Sequence, residues 1–265
     1  MSIGFIGCGN MASAIISGLI KSNTFSSTEI NAYDVYAPAC EKAKKEFNIN
    51  ILENACEVIK NSDTVILAVK PNIIQSVLEN TYKDIKKQNP LIISIAAGKN
   101  IEFISSFIND NARIVRVMPN INAKVSEAIS AYTANKNVSE EDKQNVEKIF
   151  SSVGEVIYLE ENFFSLFGVL GGCTPALAYM FIDELARAGV KHGMKKDVAL
   201  KVSAQAVLGS AKMILESNEH PYELIDKVCS PGGTTIEAVT SLQGDGFESA
   251  IHNAVEKAVN KDKIL

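Results

Sequence analysis

The residues best suited to chemistry lie in a glycine-rich turn near the start of the chain. The segment Gly7-Cys8-Gly9-Asn10-Met11-Ala12 follows an apolar run, residues 3–6, and precedes a helical pattern. In such a turn the first glycine permits a tight bend, the second lets the backbone approach a pyrophosphate, and the small Ala12 lets the helix pack closely. Amides at the helix N-terminus then bind the phosphates. The pattern predicts a dinucleotide-binding turn, and the alternative is a glycine turn that merely joins strand to helix.

An acidic side chain, Asp34, ends the second predicted strand. A carboxylate at this place accepts hydrogen bonds from the adenosine ribose hydroxyls, which favours NADH. The 2′-phosphate of NADPH would meet like-charge repulsion of about 4 kcal/mol at 4 Å and an effective dielectric constant of 20. Lys42 or Lys44 in the next helix would reduce this repulsion. The alternative interpretation of Asp34 is a solvated carboxylate at a strand end.

Three further turns follow apolar strands. They are Ala68-Val69-Lys70-Pro71, Ser94-Ile95-Ala96-Ala97-Gly98 and Val117-Met118-Pro119-Asn120. The carboxyl ends of parallel strands share one sheet edge, where open α/β sheets bind ligands, so these turns predict a lined pocket. The small residues of the second turn leave room for a nicotinamide or a ribose.

A second distinctive segment, Ser230-Pro231-Gly232-Gly233-Thr234-Thr235, lies in the last part of the chain. It runs into a helical pattern and presents several free amides and two hydroxyls. Such groups form a seat for an anion, for example a carboxylate. An ordinary helix start with Thr234 as the N-cap explains the segment equally well.

Two kinds of secondary structure position these residues. Up to about residue 160, short apolar runs alternate with helical patterns, which predicts a doubly wound parallel sheet. Ser139, followed by three acids, is predicted to cap the last helix of this part. Beyond residue 160 the strand signal disappears and helical patterns follow one another. We therefore predict an α/β Rossmann domain over residues 1–160 and an all-α domain over residues 161–265.

Composition and charge exclude several classes of protein. The chain has 265 residues, 46% of them apolar, and a net charge of −5 without a basic block, so no nucleic-acid partner is expected. Five scattered cysteines form neither a zinc pattern nor a disulfide framework, so we expect no metal and a cytoplasmic location. The N-terminal residues lack a positive leader, and no signal peptide is expected.

One apolar stretch is long enough to span a bilayer. Residues 162–182 carry no charged side chain. Gly171-Gly172 and Pro175 interrupt the stretch, and acidic pairs flank both ends, where a spanning helix would carry Lys or Arg on one side. We therefore expect no membrane contact and predict a helix buried in a core or in a subunit interface.

Taken together, the motifs resemble those of pyrroline-5-carboxylate reductases over essentially the whole chain. The resemblance rests on Ile-Gly-x-Gly-Asn-Met, Ala-Val-Lys-Pro, Val-Met-Pro-Asn and, above all, His-Pro-x-x-Leu-x-Asp-x-Val-x-Ser-Pro-Gly-Gly-Thr-Thr-Ile. It implies reduction of the cyclic imine 1-pyrroline-5-carboxylate to L-proline with NADPH or NADH, the last step of proline biosynthesis. It also implies that the helical domain interlocks with a partner's in a homodimer or a ring of dimers.

The resemblance also assigns the site residues. Thr235 would be the catalytic residue beside the reacting ring, and with Gly233 and Thr234 it would hold the substrate carboxylate. The residues that would line the cofactor are Ile6, Gly7, Cys8, Gly9, Asn10, Met11, Asp34, Asn54, Ala68, Val69, Lys70, Pro71, Ile95, Ala96 and Ala97.

Two segments depart from the usual pattern of the family, and two other functions stay open. Gly171-Gly172-Cys173-Thr174 stands where the family usually has Ser-Gly-Ser-Gly, and Ile121-Asn122 stands where it usually has Thr-Pro. A non-catalytic, competence-type cofactor-binding relative is therefore one alternative. The other is a 3-hydroxyacid dehydrogenase of the same two-domain plan. Its general base is commonly a lysine, and residues 162–182 contain none.

Overall fold

The computed structural model describes residues 1–262. Their strands form a single eight-stranded sheet in the order β3-β2-β1-β4-β5-β6-β7-β8. In chain order the strands are β1 (Ile3–Ile6), β2 (Ile30–Tyr33), β3 (Asn50–Ile51), β4 (Thr64–Leu67), β5 (Leu91–Ser94), β6 (Arg113–Met118), β7 (Ala128–Ala134) and β8 (Gly154–Tyr158). The winding reverses at β1, between β2 and β4, and this is the place where doubly wound sheets bind dinucleotides.

Helices connect the strands and make up the last third of the described chain. They are α1 (Asn10–Lys21), α2 (Ala37–Phe47), α3 (Ala55–Lys60), α4 (Ile74–Gln88), α5 (Ile101–Ser105), α6 (Glu140–Ser151), α7 (Phe164–Phe167), α8 (Thr174–Lys191), α9 (Lys196–Ser217), α10 (Pro221–Val228), α11 (Thr234–Gly244) and α12 (Phe247–Asp262). The helical patterns after residue 160 predict five helices, over residues 175–192, 195–217, 222–228, 235–243 and 247–261, and these correspond to α8–α12 within one residue at each end.

Helices cover both faces of the sheet, and successive side chains of a strand point to opposite faces. In β1, Ile3 and Phe5 join a core cluster with residues of α1, α2 and α6. Ile6 points to the other face and joins a cluster with residues of α3, α4 and α5. The continuous apolar runs of the central strands follow from this double cover.

The last two strands correct the prediction of a wholly parallel sheet. β7 pairs antiparallel with β6, whereas the other six strand pairings are parallel. The connection between β6 and β7, residues 119–127, contains only a short 3₁₀ turn, Ile121–Val125. It is too short for the crossover that a parallel pairing requires.

Local predictions hold best where the pattern is long. Ser139 does cap α6, in a capping box with Asp142. β3 and α3 were not predicted, because a two-residue strand and a six-residue helix are too short to show periodicity. α5 ends at Ser105, although the apolar pattern predicts a helix to residue 109.

The chain divides into two compact units, and the first extends beyond the predicted boundary at residue 160. It comprises residues 1–172, and the second begins at Cys173. Phe164 and Phe167 pack in a buried cluster with Ala131 of β7, which fastens the extra segment to the sheet. The Asn120 side-chain amide also donates a 3.0 Å hydrogen bond to the Gly171 carbonyl.

The second unit is helical and exposes many apolar side chains. α8 and α9 pack on each other through small residues, among them the buried Ala186 and Ala199. Tyr179 and Met180 of α8 are 60% and 63% exposed, so of the two predicted alternatives, a core or a subunit interface, burial in the chain's own core is excluded and the interface stays a prediction. By length and composition alone, the helical segments Glu161–Lys191 and Lys196–Ser217 are apolar enough to cross a membrane.

Candidate active site

The glycine-rich turn between β1 and α1 is held in a shape that only glycine permits at its first position. Gly7 has φ +105°, and a Cβ atom there would lie 2.5 Å from the carbonyl oxygen of Ala68. The Gly7 amide donates a 2.7 Å hydrogen bond to the carbonyl of Tyr33. The turn therefore packs directly on the ends of β2 and β4.

The N-terminus of α1 is left open for an anion. Its N-cap is Gly9, which has no side chain to accept the first amides. By contrast, Asn54, Asn100 and Ser139 cap α3, α5 and α6 with side-chain oxygens. A Cβ atom on Gly9 would meet nothing within 4 Å, so the space in front of these amides is free. Open amides and open space fit the pyrophosphate of a dinucleotide.

Asp34 is tied to the turn by its own carboxylate. The Cys8 amide donates to Oδ2 at 2.7 Å, and the Tyr36 amide donates to Oδ1 at 2.9 Å. Each carboxylate oxygen keeps a second lone pair, which is available to a hydroxyl group. Asp34 therefore braces the turn and still lines the cavity beside it.

Cys8 lies in the glycine-rich turn and stabilises it from the side of the core. Its side chain is buried, and burial together with the neighbouring Cys40 and the Asp34 carboxylate raises the pKa of the Cys8 thiol to about 12. The thiol therefore stays protonated near neutral pH and is a poor nucleophile. Cys8 contributes its amide to Asp34 and its side chain to the core.

Two cavities, each of about 290 Å³, lie at the carboxyl edge of the sheet, and Val69 lines both. The predicted residues that line the first are Ile6, Gly7, Asp34, Asn54 and Val69. Those that line the second are Met11, Ala68, Val69, Lys70, Pro71, Ile95, Ala96 and Ala97. Gly9 and Asn10 lie at the exposed start of α1. The fold thus gathers the predicted cofactor residues at one edge of the sheet, in a shape that suits a dinucleotide with two ends.

Several lining residues of the first cavity were missed by sequence reasoning. They come from β2 and its end, from α3, and from α4 with the turn before it, and they are Tyr33, Val35, Ala55, Cys56, Ile73, Ser76, Val77, Asn80 and Thr81. Ile73, Ser76, Val77 and Asn80 recur at helical spacing. That spacing was the available signal, but an amphipathic helix shows it for core packing as well.

The predicted anion loop belongs to the second unit. The Gly233 amide donates a 3.0 Å hydrogen bond to the Ser230 carbonyl, and Gly232 has φ +68°, which closes a tight turn. α11 begins at Thr234 with Gly233 as its N-cap, so the interpretation of Thr234 as the cap is wrong. The first amides of α11 have no side-chain cap, and Thr235 is half-buried in the first turn.

The segment that departs from the family pattern also has unusual geometry. Gly168–Cys173 forms a π-helical turn that runs into α8. Its Gly171 carbonyl accepts the hydrogen bond from the buried Asn120, which follows the strand end at Met118-Pro119 in the second cavity's wall. π-Helical turns are frequent at functional sites.

A doubly wound sheet with an uncapped glycine turn and an acid at the end of β2 is typical of oxidoreductases that bind a nicotinamide dinucleotide. Comparisons with known proteins agree. Residues 2–98 match the family model described as NADP oxidoreductase, coenzyme F420-dependent, and residues 161–265 match the model described as pyrroline-5-carboxylate reductase dimerisation. The chain belongs to the pyrroline-5-carboxylate reductase family, as its relatives establish.

The relatives match over nearly their full length. Pyrroline-5-carboxylate reductase from Escherichia coli K12 is 41% identical over 266 residues, covering 99% of this chain and 97% of that protein. The Methanosarcina acetivorans enzyme is 40% identical, with the same coverage. Among solved structures, the reductase from Coxiella burnetii has a TM-score of 0.93 at 32% identity, covering 99% of this chain and 97% of that one. The Plasmodium falciparum enzyme, solved with NADP bound, has a TM-score of 0.87 at 33% identity, covering 100% and 97%.

Proposed function

We propose that this protein reduces 1-pyrroline-5-carboxylate to L-proline, with NADH or NADPH as the reductant. The observation that carries the proposal is the full-length similarity to pyrroline-5-carboxylate reductases, at 41% identity to the Escherichia coli enzyme. The open start of α1 and the two cavities beside Val69 supply the dinucleotide site that such a reaction needs.

The chemistry asks the residues mainly to place and shield the reacting groups. A protonated cyclic imine is already electrophilic at its ring carbon, and when the dinucleotide is bound it supplies the hydride. The C=N double bond then becomes a C–N single bond, and the nitrogen keeps its proton. Holding the two partners in a near-attack geometry and excluding water are the large contributions left to the protein.

Different groups of residues would hold the three parts of the dinucleotide. The amides of Asn10 and Met11 at the start of α1 would hold the pyrophosphate, and the first cavity, with Asp34, would hold the adenosine. The second cavity would hold the nicotinamide end between residues 68–71 and residues 95–97. Among the described residues, no Lys or Arg lines the first cavity, so NADH is the preferred reductant.

The loop at the start of α11 is the proposed substrate site. Its uncapped amides and the Thr234 hydroxyl would bind the substrate carboxylate, as an anion binds at a helix N-terminus. Thr235 would be the catalytic residue, with its hydroxyl accepting a hydrogen bond from the protonated ring nitrogen. That bond would favour the protonated and therefore reactive form of the imine.

Assembly and location follow from the surface and the cysteines. The exposed apolar side chains of α8 and α9 would be covered by a second copy of the chain, in a homodimer or a ring of dimers. All five cysteines are free thiols, which suits a reducing cytoplasm. We expect neither a nucleic-acid partner nor a membrane partner.

The test is oxidation of the reduced nicotinamide by the purified protein. We expect NADH and NADPH to be consumed only after 1-pyrroline-5-carboxylate is added, with L-proline formed in equal amount. Amino-acid analysis of the product and absorbance of the cofactor measure both sides of the reaction.

The same assay separates the two alternatives. A protein that binds NADH but consumes neither cofactor in the presence of the imine would be the non-catalytic relative, and the proposal would fail. Reduction of NAD by 3-hydroxyacids without any imine reduction would favour the dehydrogenase of the same two-domain plan.

A further inference from the structure

A charged residue lies inside the core of the first unit, next to the second cavity. Arg116 occupies β6 between the apolar Val115 and Val117 and is only 7% exposed. Its Nε atom is buried and has no hydrogen-bond partner among residues 1–262. A buried guanidinium of this kind is weak evidence for stability, because an apolar side chain of the same size packs at least as well. Its place in the fold therefore needs another explanation.

Arg116 and Glu161 together connect three segments of the chain. Its Nη1 donates to Oε1 of Glu161 at 3.1 Å, and its guanidinium carbon lies 4.5 Å from the centre of the Phe164 ring. The same Glu161 oxygen accepts the backbone amide of Ile101 at 2.9 Å. One carboxylate oxygen thus joins β6, the first residue of α5 and the 3₁₀ turn that precedes α7.

Two of the segments joined in this way lead into the wall of the second cavity. β6 continues directly into Val117 and Met118, which line that cavity. α5 follows the lining residues Ile95, Ala96 and Ala97, so fixing its first amide fixes the end of that loop. None of the residues in the array lines the first cavity.

We propose that Arg116 and Glu161 are positioning residues that set the spacing of the walls around the nicotinamide end of the dinucleotide. The proposal rests on the dinucleotide site assigned above. Loss of the pair would let the loop over residues 95–100 move relative to β6 while the adenosine side keeps its shape. Misplacement of a reacting group by about 1 Å lowers turnover by up to about a hundredfold.

The test compares Arg116→Met with a matched control, Arg113→Met. Arg113 lies at the other end of β6, in an ion pair with Asp142 at 2.6 Å and outside the second cavity. Both variants remove one guanidinium and one ion pair from the same strand. Each is titrated with NADH, observed by nicotinamide fluorescence, and with ADP-ribose, which lacks the nicotinamide.

For Arg116→Met we expect ADP-ribose to bind within about twofold of wild type, since the adenosine cavity is untouched. The fluorescence anisotropy of bound NADH should fall, because the ring is held less rigidly, and kcat should fall about tenfold or more with little change in KM for the cofactor. Arg113→Met should change none of the three, although both variants lower the melting temperature. Equal weakening of NADH and ADP-ribose, or an unchanged anisotropy, would overturn the proposal.

A second variant covers the case in which Arg116→Met does not fold. Glu161→Gln keeps an oxygen for the Ile101 amide and removes only the charge. It should lower the anisotropy of bound NADH and leave ADP-ribose affinity unchanged, and failure to do so would contradict the proposal. These binding measurements need no imine, so they remain informative if the proposed reduction is not found.

Discussion

At the scale of single residues, the site depends on groups that serve two purposes. The Asp34 carboxylate accepts a 2.7 Å hydrogen bond from the Cys8 amide and thereby holds the turn, while the same residue lines the first cavity. In the proposed cofactor site this negative charge would lie beside the adenosine ribose, where NADPH carries a 2′-phosphate and NADH does not. We therefore expect the charge to disfavour NADPH.

Replacing Asp34 by Asn tests this discrimination. Removing the charge should raise the ratio of kcat/KM for NADPH to that for NADH by about tenfold, which is about 1.4 kcal/mol. Because both reductants are measured on the same variant, the ratio cancels the cost of the weakened turn. A wild-type protein that already strongly prefers NADPH would show that the ribose argument is wrong.

Replacing Thr235 by Ala tests the proposed catalytic hydroxyl. We expect kcat to fall by about 10- to 1,000-fold, the range seen when one hydrogen bond to a reacting group is removed. The control is Thr240→Ala in the same helix, where the hydroxyl bonds only to backbone carbonyls, including that of Ile236 at 2.9 Å. Far-ultraviolet circular dichroism and the melting temperature check folding. Unchanged kinetics in Thr235→Ala would remove that residue from the site.

At the scale of elements, the turn before α1 combines a position that has no room for a side chain with a position that has free space around it. A Cβ atom at Gly7 would lie 2.5 Å from a backbone oxygen, whereas one at Gly9 would meet nothing within 4 Å. The first glycine serves the fold, and the second leaves room for a ligand. The two requirements are separable by experiment.

We expect Gly9→Ala to fold normally, with a free energy of unfolding within about 1 kcal/mol of wild type. Its Kd for NADH should rise at least about tenfold, because the new methyl group occupies the space in front of the helix amides. Gly7→Ala should instead lower the free energy of unfolding by roughly 1–3 kcal/mol or more, owing to backbone strain and the close oxygen. Chemical denaturation and NADH titration measure both quantities. Equal NADH affinity in Gly9→Ala and wild type would contradict this account.

At the scale of the whole molecule, the helical unit exposes many large apolar side chains. In α9 alone Val202, Leu208, Met213 and Leu215 are each more than half exposed. Residues 161–265 also match the family model described as pyrroline-5-carboxylate reductase dimerisation. We therefore expect a second copy of the chain to cover these side chains in solution.

Light scattering after size exclusion should therefore give twice the 28.6 kDa chain mass or a larger even multiple. Leu208→Glu places a charge on the apolar face and should reduce the mass toward that of one chain. The control is Tyr82→Glu, an exposed apolar residue of α4 in the first unit, which should leave the mass unchanged. A wild-type protein of single-chain mass would refute the assembly.

Much of the site was predictable because its signals are local. Residue type and a place after an apolar strand are enough to recognise Gly7, Gly9 and the residues after β4 and β5 in the sequence. Arg116 and Glu161 gave no such signal. Their meeting depends on pairing across 45 residues of sequence, which no periodicity reports. The lining residues of α4 were hidden for a different reason, since core helices share their spacing.

The sequence by itself determined the dinucleotide turn, the α/β part, the helices that follow it and the family, because these depend on short-range stereochemistry and on motifs. Only the tertiary structure decided that β7 runs antiparallel, that residues 161–172 pack with the sheet and that the edge of the sheet holds two cavities. It also joined the Asp34 carboxylate to the Cys8 amide, 26 residues apart. Each of these outcomes depends on contacts between segments that are distant in the chain. Such contacts contribute to the free energy of folding only once the core has brought the segments together.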